Sequence, residues 1–147
     1  DDFVKFNFNF NINQYVTEKR YQNVKMAFQF TNEVQLPYSG KFSLGGISSI
    51  RGYPSGLHSG DKGYLMSFEE NISVHEQLNY FYFLDHGLTL PYRGQNQGIK
   101  SKDFLTAIGV GTNMQFSNNI FSRIVLGVPL GPRDLDPRIH FQCRYVW

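Results

Sequence analysis

The feature that most constrains the fold is an alternation of apolar and polar residues with a period of two. The first run has Val4, Phe6, Phe8, Phe10 and Ile12 alternating with Lys5, Asn7, Asn9 and Asn11. Successive side chains of a strand point to opposite faces, so this run predicts a strand with one apolar and one polar face. Six more runs lie near residues 24–30, 63–69, 78–85, 104–113, 119–128 and 138–147. We therefore expect seven strands and no helix.

Strand length and aromatic content favour a membrane barrel over a soluble sheet. The chain has 14 phenylalanines and 9 tyrosines, residue types enriched in strands. Its runs are about ten residues long, which fits the ~9–11 residues of a transmembrane β-strand and exceeds the ~5–6 usual in soluble proteins. Alternation alone does not show whether the apolar face contacts lipid or packs into a protein core. A soluble β-sandwich or ligand-binding barrel therefore remains an alternative from another class.

Short and long connections alternate along the chain. The connections near 13–20, 75–77 and 115–118 are short or fairly short, whereas those at 35–62, 87–102 and 129–137 are longer and richer in glycine, proline and charge. Outer-membrane barrels have short periplasmic turns and longer extracellular loops. We predict an all-β, antiparallel transmembrane barrel wall whose C-terminus lies on the short-turn side. Seven strands would form only an open, curved sheet.

One charge conflicts with this assignment. Glu70 has the same parity as Phe68 and Ile72, so it would face lipid. A bulge, or a shorter membrane-embedded part of the strand, would remove the conflict.

Several motifs surround the glycine-rich loop between the second and third predicted strands. The loop carries Phe42-Ser-Leu-Gly-Gly and Ile50-Arg-Gly-Tyr-Pro, followed by Gly60-Asp-Lys-Gly-Tyr-Leu and Glu69. FYFLDHG, AIGVG and VPLG follow at 81–87, 107–111 and 128–131. In this order the set resembles the C-terminal barrel of two-partner secretion transporters, the haemolysin activation/secretion proteins of the ShlB/FhaC/HecB type. The resemblance covers nearly the whole chain.

The resemblance implies a sixteen-stranded barrel in the outer membrane of a diderm bacterium, preceded by POTRA domains. Residues 1–147 would be its last seven strands, with the POTRA domains and earlier strands outside this chain. The implied activity is translocation and activation of a haemolysin- or adhesin-like exoprotein without ATP. The implied partners are that exoprotein, outer-membrane lipids and the outer-membrane assembly machinery. An outer-membrane protein assembly insertase of the same superfamily is the alternative.

The resemblance also implies site residues. The loop motif would fold into the barrel lumen, and an acidic Phe-x-Asp-x-Gly motif on the wall would receive its arginine. An exposed loop arginine and a solvated strand-end aspartate are the alternative reading. Glu69 would either support the loop or be a solvated lumenal carboxylate. Aromatic residues of the last strand would form the signal that the assembly machinery reads. The loop residues are Gly45, Gly46, Arg51, Gly52 and Tyr53, the wall residues Phe83, Asp85 and Gly87, and the signal residues Phe141, Tyr145 and Trp147.

Other chemistry is not indicated. The four histidines, His58, His75, His86 and His140, lack metal-ligand spacing, and no nucleophile–base arrangement can be argued, so we expect no enzyme, metal or cofactor. The single Cys143 excludes an internal disulfide. A net charge of +2 gives no indication of nucleic acid as a partner.

Overall fold

The protein is a seven-stranded antiparallel sheet with a folded loop on one face. The computed structural model describes residues 4–32, 36–90, 98, 103–131 and 135–147. The strands are β1 Lys5–Thr17, β2 Arg20–Thr31, β3 Phe42–Leu44, β4 His58–Gly60, β5 Lys62–His75, β6 Leu78–Leu90, β7 Phe104–Ser117, β8 Ile120–Leu130 and β9 Arg138–Tyr145, with a 3-10 turn at Tyr38–Gly40. The sheet order is β1-β2-β5-β6-β7-β8-β9, and β3–β4 forms a separate hairpin. The predicted all-β class and its seven main strands are confirmed. Within the described ranges, no helix has the length and apolarity to cross a bilayer.

All three short turns are two-residue connections at one end of the sheet. They lie at 18–19, 76–77 and 118–119, and each follows a register shift in its hairpin, between Tyr15 and Thr17, Ser73 and His75, or Gln115 and Ser117. Several predicted boundaries are wrong. β1 continues to Thr17, so the first turn is much shorter than 13–20. β6 continues to Leu90 rather than ending at Gly87, because its ladder with β5 extends to the Lys62–Leu90 pair.

The sheet has two unlike faces. We call the side under the loop the loop-covered face and the other side the open face. On the loop-covered face, wall residues including Ala27, Leu65 and Ala107 pack in one cluster with the loop residues Leu44 and Ile50. The open face exposes a continuous set of large apolar side chains, among them Phe30, Met66, Tyr82, Leu84, Ile108, Val110 and Leu126.

This asymmetry argues against a soluble sandwich. A sandwich buries the apolar faces of two sheets against each other. Here the second sheet within the described ranges is the two-stranded β3–β4 hairpin, and it lies over the face that carries Asp85. The apolar open face stays uncovered, as expected of a wall against lipid.

Glu70 lies on the open face, yet its charge is paired. Gln22 and Tyr82 flank it in an unbroken ladder, so the bulge considered from sequence is wrong. The Arg20 guanidinium and the Tyr82 hydroxyl donate hydrogen bonds to its two carboxylate oxygens. The Glu70 side chain is 5% exposed while that of Arg20 is 47% exposed. Sequence parity located the carboxylate correctly, but its partner comes from the first residue of β2.

This pairing predicts that Arg20→Gln destabilises the full-length barrel. The substitution leaves Glu70 as an uncompensated carboxylate on an apolar surface, where charge is unfavourable. We expect the melting temperature of the barrel in lipid vesicles, followed by its heat-modifiable gel mobility, to fall. Glu70→Gln in the same protein should recover most of the loss. An unchanged melting temperature in the Arg20→Gln barrel would contradict this account.

Candidate functional site: an arginine clamp between loop and wall

Arg51 joins the loop to the wall through a fork of hydrogen bonds to Asp85. Its Nε donates to Asp85 Oδ2 and its Nη2 to Oδ1, both at 2.8 Å, and its backbone N–H donates to Oδ2 at 3.0 Å. Asp85 is completely buried and Arg51 is 4% exposed. Two parallel bonds from a rigid guanidinium give directional recognition of a carboxylate. The position of the loop is therefore tied to one wall residue.

The neighbouring strand β5 provides two further partners for this pair, Ser67 and Glu69. Ser67 of β5 donates from its hydroxyl to Asp85 Oδ1 at 2.6 Å and accepts from Arg51 Nη2 at 3.1 Å. Arg51 Nη1 donates to Glu69 Oε2. Burial alone would lower the pKa of Arg51, but hydrogen bonds to Asp85 and the charges of Asp85 and Glu69 raise it above its ordinary value. The guanidinium thus stays charged inside the site.

Glu69 also forms an ion pair with a second arginine, which belongs to the wall. Arg123 of β8 donates from Nη2 to Glu69 Oε2 at 2.8 Å. Asn71 donates from its amide nitrogen to the other oxygen, Oε1, at 3.1 Å. Glu69 therefore bridges one arginine of the loop and one of the wall, and the side chains of Arg51, Arg123, Glu69 and Asp85 have no net formal charge together.

Both guanidinium groups lie over aromatic rings of β6. Arg51 is 3.7 Å from the centroid of Phe83, and Arg123 is 4.2 Å from that of Phe81. The rings are accommodated by glycines directly opposite on β7, since Phe83 pairs with Gly109 and Phe81 with Gly111. An added Cβ at either glycine would overlap the facing ring. The two glycines of the AIGVG motif thus leave space for two phenylalanine rings, and each ring contacts one guanidinium group.

The loop also approaches the wall backbone to backbone. Gly52 has a φ of +97°, and a Cβ on it would lie 3.0 Å from the carbonyl carbon of Gly127 in β8. Its N–H donates to His140 Nε2 of β9 at 3.3 Å. Tyr53, 1% exposed, donates its hydroxyl to the Thr106 carbonyl at 3.0 Å. The three consecutive residues Arg51, Gly52 and Tyr53 therefore contact five consecutive strands, β5 to β9.

The other motif glycines also have defined places. Gly45 and Gly46 have φ values of +109° and +97°, in the left-handed region, and Gly46 N–H donates to the Tyr53 carbonyl at 3.0 Å, which closes the loop on itself. Gly87 lies on β6 beneath the loop, where an added Cβ would be 2.9 Å from Leu44 Cδ1 and 3.1 Å from Ile50 Cδ1. Its missing side chain makes room for these two loop residues.

The C-terminal aromatics lie away from this site. Phe141 and Tyr145 are on the open face of the edge strand β9, at 68% and 62% exposure. The strand ends at Tyr145, two residues earlier than the alternation predicts, and Trp147 is fully exposed beyond it. Tyr145 and Trp147 make an edge-to-face ring contact with centroids 6.2 Å apart.

Sequence reasoning missed the wall residues that complete the clamp. Ser67 lies on the predicted polar face of its strand, and Arg123 and Gly127 lie within the sixth run. Their positions in the sequence did not predict their partners, because the partners are set by the register between neighbouring strands. Within the described part of the chain, no group of His, Cys, Asp and Glu is arranged to hold a metal ion.

The comparisons with known proteins agree with this geometry. The model of the family "Haemolysin secretion/activation protein ShlB/FhaC/HecB" matches residues 1–114. The chain belongs to this family, which comprises outer-membrane two-partner secretion transporters. The predicted resemblance is thus confirmed.

Two named relatives, HuxB and CdiB, are longer than this chain. The Heme/hemopexin transporter protein HuxB of Haemophilus influenzae is 27% identical over 135 residues, covering 87% of this chain and 24% of HuxB, with the same figures for the Rd strain. The structure of CdiB from Acinetobacter baumannii has the same fold, with a TM-score of 0.75 at 19% identity over 97% of this chain and 27% of CdiB. The chain thus spans about a quarter of these relatives.

Proposed function

We propose that this chain is the C-terminal part of an outer-membrane pore that moves one large exoprotein across the membrane without ATP. The observation that carries the proposal is the clamp that holds the loop on the polar face of the sheet through Arg51, Asp85 and Glu69. A loop on this face would lie inside a closed barrel and occupy its lumen. A pore that passes an unfolded chain needs such an element to close it at rest and to move when cargo enters.

The two faces of the sheet support the same proposal. The open face offers apolar side chains to lipid, and the loop-covered face outside the loop is polar, with a groove lined by Asn23, Lys25, Ser67, Glu69, Arg123 and Gln142. A polar interior wall suits a water-filled route for a polypeptide. We further propose that POTRA domains and earlier strands precede this segment in the full protein, and that Phe141, Tyr145 and Trp147 form its assembly signal.

A gene deletion with complementation tests the proposal. Loss of the full-length gene should remove one large protein from the culture medium and leave the other outer-membrane barrels at normal abundance. The intact gene should restore that protein. If the medium is unchanged, or if several barrels fall together, the pore assignment is wrong, and a general loss of barrels would instead indicate an assembly insertase.

A further inference from the structure

We propose that Arg123 is a positioning residue that stabilises the wall when the loop leaves, so that it lowers the cost of opening the pore. The inference rests on the proposed function, because it concerns displacement of the loop from its clamp. It concerns a residue of β8 outside the loop motif and outside the Phe-x-Asp-x-Gly motif.

Departure of the loop changes the balance of charges on the wall. With the loop in place, Arg51 and Arg123 balance Glu69 and Asp85. If the loop leaves, Arg51 goes with it, and the wall retains two carboxylates with Arg123 as the arginine in contact with Glu69. Without Arg123, departure of the loop would leave both carboxylates without an arginine. Unpaired charge at a partly buried site is unfavourable, so removal of Arg123 makes departure harder.

Arg123 is held by residues of the wall and not by the loop. Its guanidinium lies over Phe81, whose ring fits against Gly111, and all three residues belong to the wall strands β6 to β8. Arg51 has a parallel arrangement over Phe83 and Gly109, but it comes from the loop. Arg123 therefore keeps its support when the loop moves. Its side chain is 30% exposed, against 5% for Arg51, so it already lies at the edge of the polar groove.

The direction in which Arg123→Gln changes loop departure distinguishes this role from a merely structural one. If Arg123 only braced Glu69 for its contact with Arg51, Arg123→Gln would loosen the loop. The charge count predicts the opposite, a more firmly held loop. Lys25 provides a matched comparison, because it is a cation of the same face that donates to the Ser48 carbonyl of the loop at 3.0 Å. Its removal takes away a tether and leaves the Glu69 pairs intact.

The experiment measures exposure of a buried loop position in the full-length transporter. Ile50 is a loop residue that is fully buried against the wall. Ile50→Cys, made in a cysteine-free protein that includes Cys143→Ser, therefore reports loop departure through its labelling rate with a maleimide in lipid vesicles. We expect Arg123→Gln to slow labelling about tenfold, within the range of coupled ion-pair networks. Lys25→Gln should label at the parent rate or faster.

A double variant completes the test. Glu69→Gln removes the carboxylate that Arg123 balances, so Arg123→Gln added to it should leave the labelling rate of Glu69→Gln unchanged. Labelling at or above the parent rate in Arg123→Gln alone, or a slow double variant, would overturn the proposal. Because labelling does not depend on cargo, it separates the two claims. Normal secretion after gene deletion would remove the pore assignment, whereas a wrong order of labelling rates would remove only the role of Arg123.

Discussion

Arg51→Ala in the full-length transporter is expected to release the loop from the wall and to reduce secretion of the exoprotein to a small fraction of its normal level. The substitution removes both bonds of the fork to Asp85 and the bond to Glu69, and leaves a fully buried carboxylate without its partner. Breaking a buried pair by deleting one member costs about 3–5 kcal/mol. That loss is enough to change the loop from mostly bound to the wall to mostly released from it.

Two measurements separate loop release from loss of the barrel. Secretion is followed as exoprotein in the medium, and barrel integrity as heat-modifiable mobility of the transporter. Arg51→Lys should fail almost as severely, since an ammonium cannot reproduce two parallel bonds. Asp85→Asn should be milder, because an amide still accepts one bond. Arg138→Ala, an exposed arginine at the start of β9, is the matched control and should secrete normally. Normal secretion by the Arg51→Ala transporter would refute the role of the clamp.

The strands and their faces could be predicted from sequence because both follow from a period of two. Asp85 shares parity with Phe81 and Phe83, and the alternation therefore predicts it on the face opposite Tyr82 and Leu84. The same reasoning placed Glu70 on the apolar face, where the structure has it. Face assignment needs only local sequence, since successive side chains point to opposite sides.

Partners across strands could not be predicted in the same way. Glu69 meets Arg123 only because β5, β6, β7 and β8 are neighbours in one particular register. That register depends on irregular pairs next to each two-residue turn, and a shift by one residue would move every side chain to the other face. The Arg20–Glu70 pair could not be predicted either, because it depends on the register between β2 and β5, in which Arg20 faces Ile72 and Gln22 faces Glu70. Residue parity therefore gives the face, whereas strand register gives the contacts.

Gly127→Ala is expected to prevent the loop from seating, although residue 127 lies outside the loop and outside both charged motifs. A Cβ at this position would lie 2.5 Å from the Gly52 nitrogen, 2.7 Å from its Cα and 2.8 Å from the Arg51 carbonyl carbon. All three neighbours are backbone atoms, so no rotamer change relieves the overlap. The loop must move away from β8, and a small displacement at Gly52 misaligns the adjacent Arg51 fork to Asp85.

The strand itself should tolerate the methyl group, because alanine is compatible with an extended backbone. We therefore expect the Gly127→Ala transporter to assemble as a heat-modifiable barrel and to lose secretion as Arg51→Ala does. Ile50→Cys in this variant should be labelled at least tenfold faster than in its parent, a scale set by the loss of a buried pair. Gly131→Ala, one residue beyond the end of β8, is the matched control, since its Cβ would meet only the Tyr53 hydroxyl at 3.4 Å, an ordinary contact. If Gly127→Ala labelled as slowly as Gly131→Ala, the loop would not be held by its approach to β8. The Arg51 fork would then hold it without help from this backbone contact.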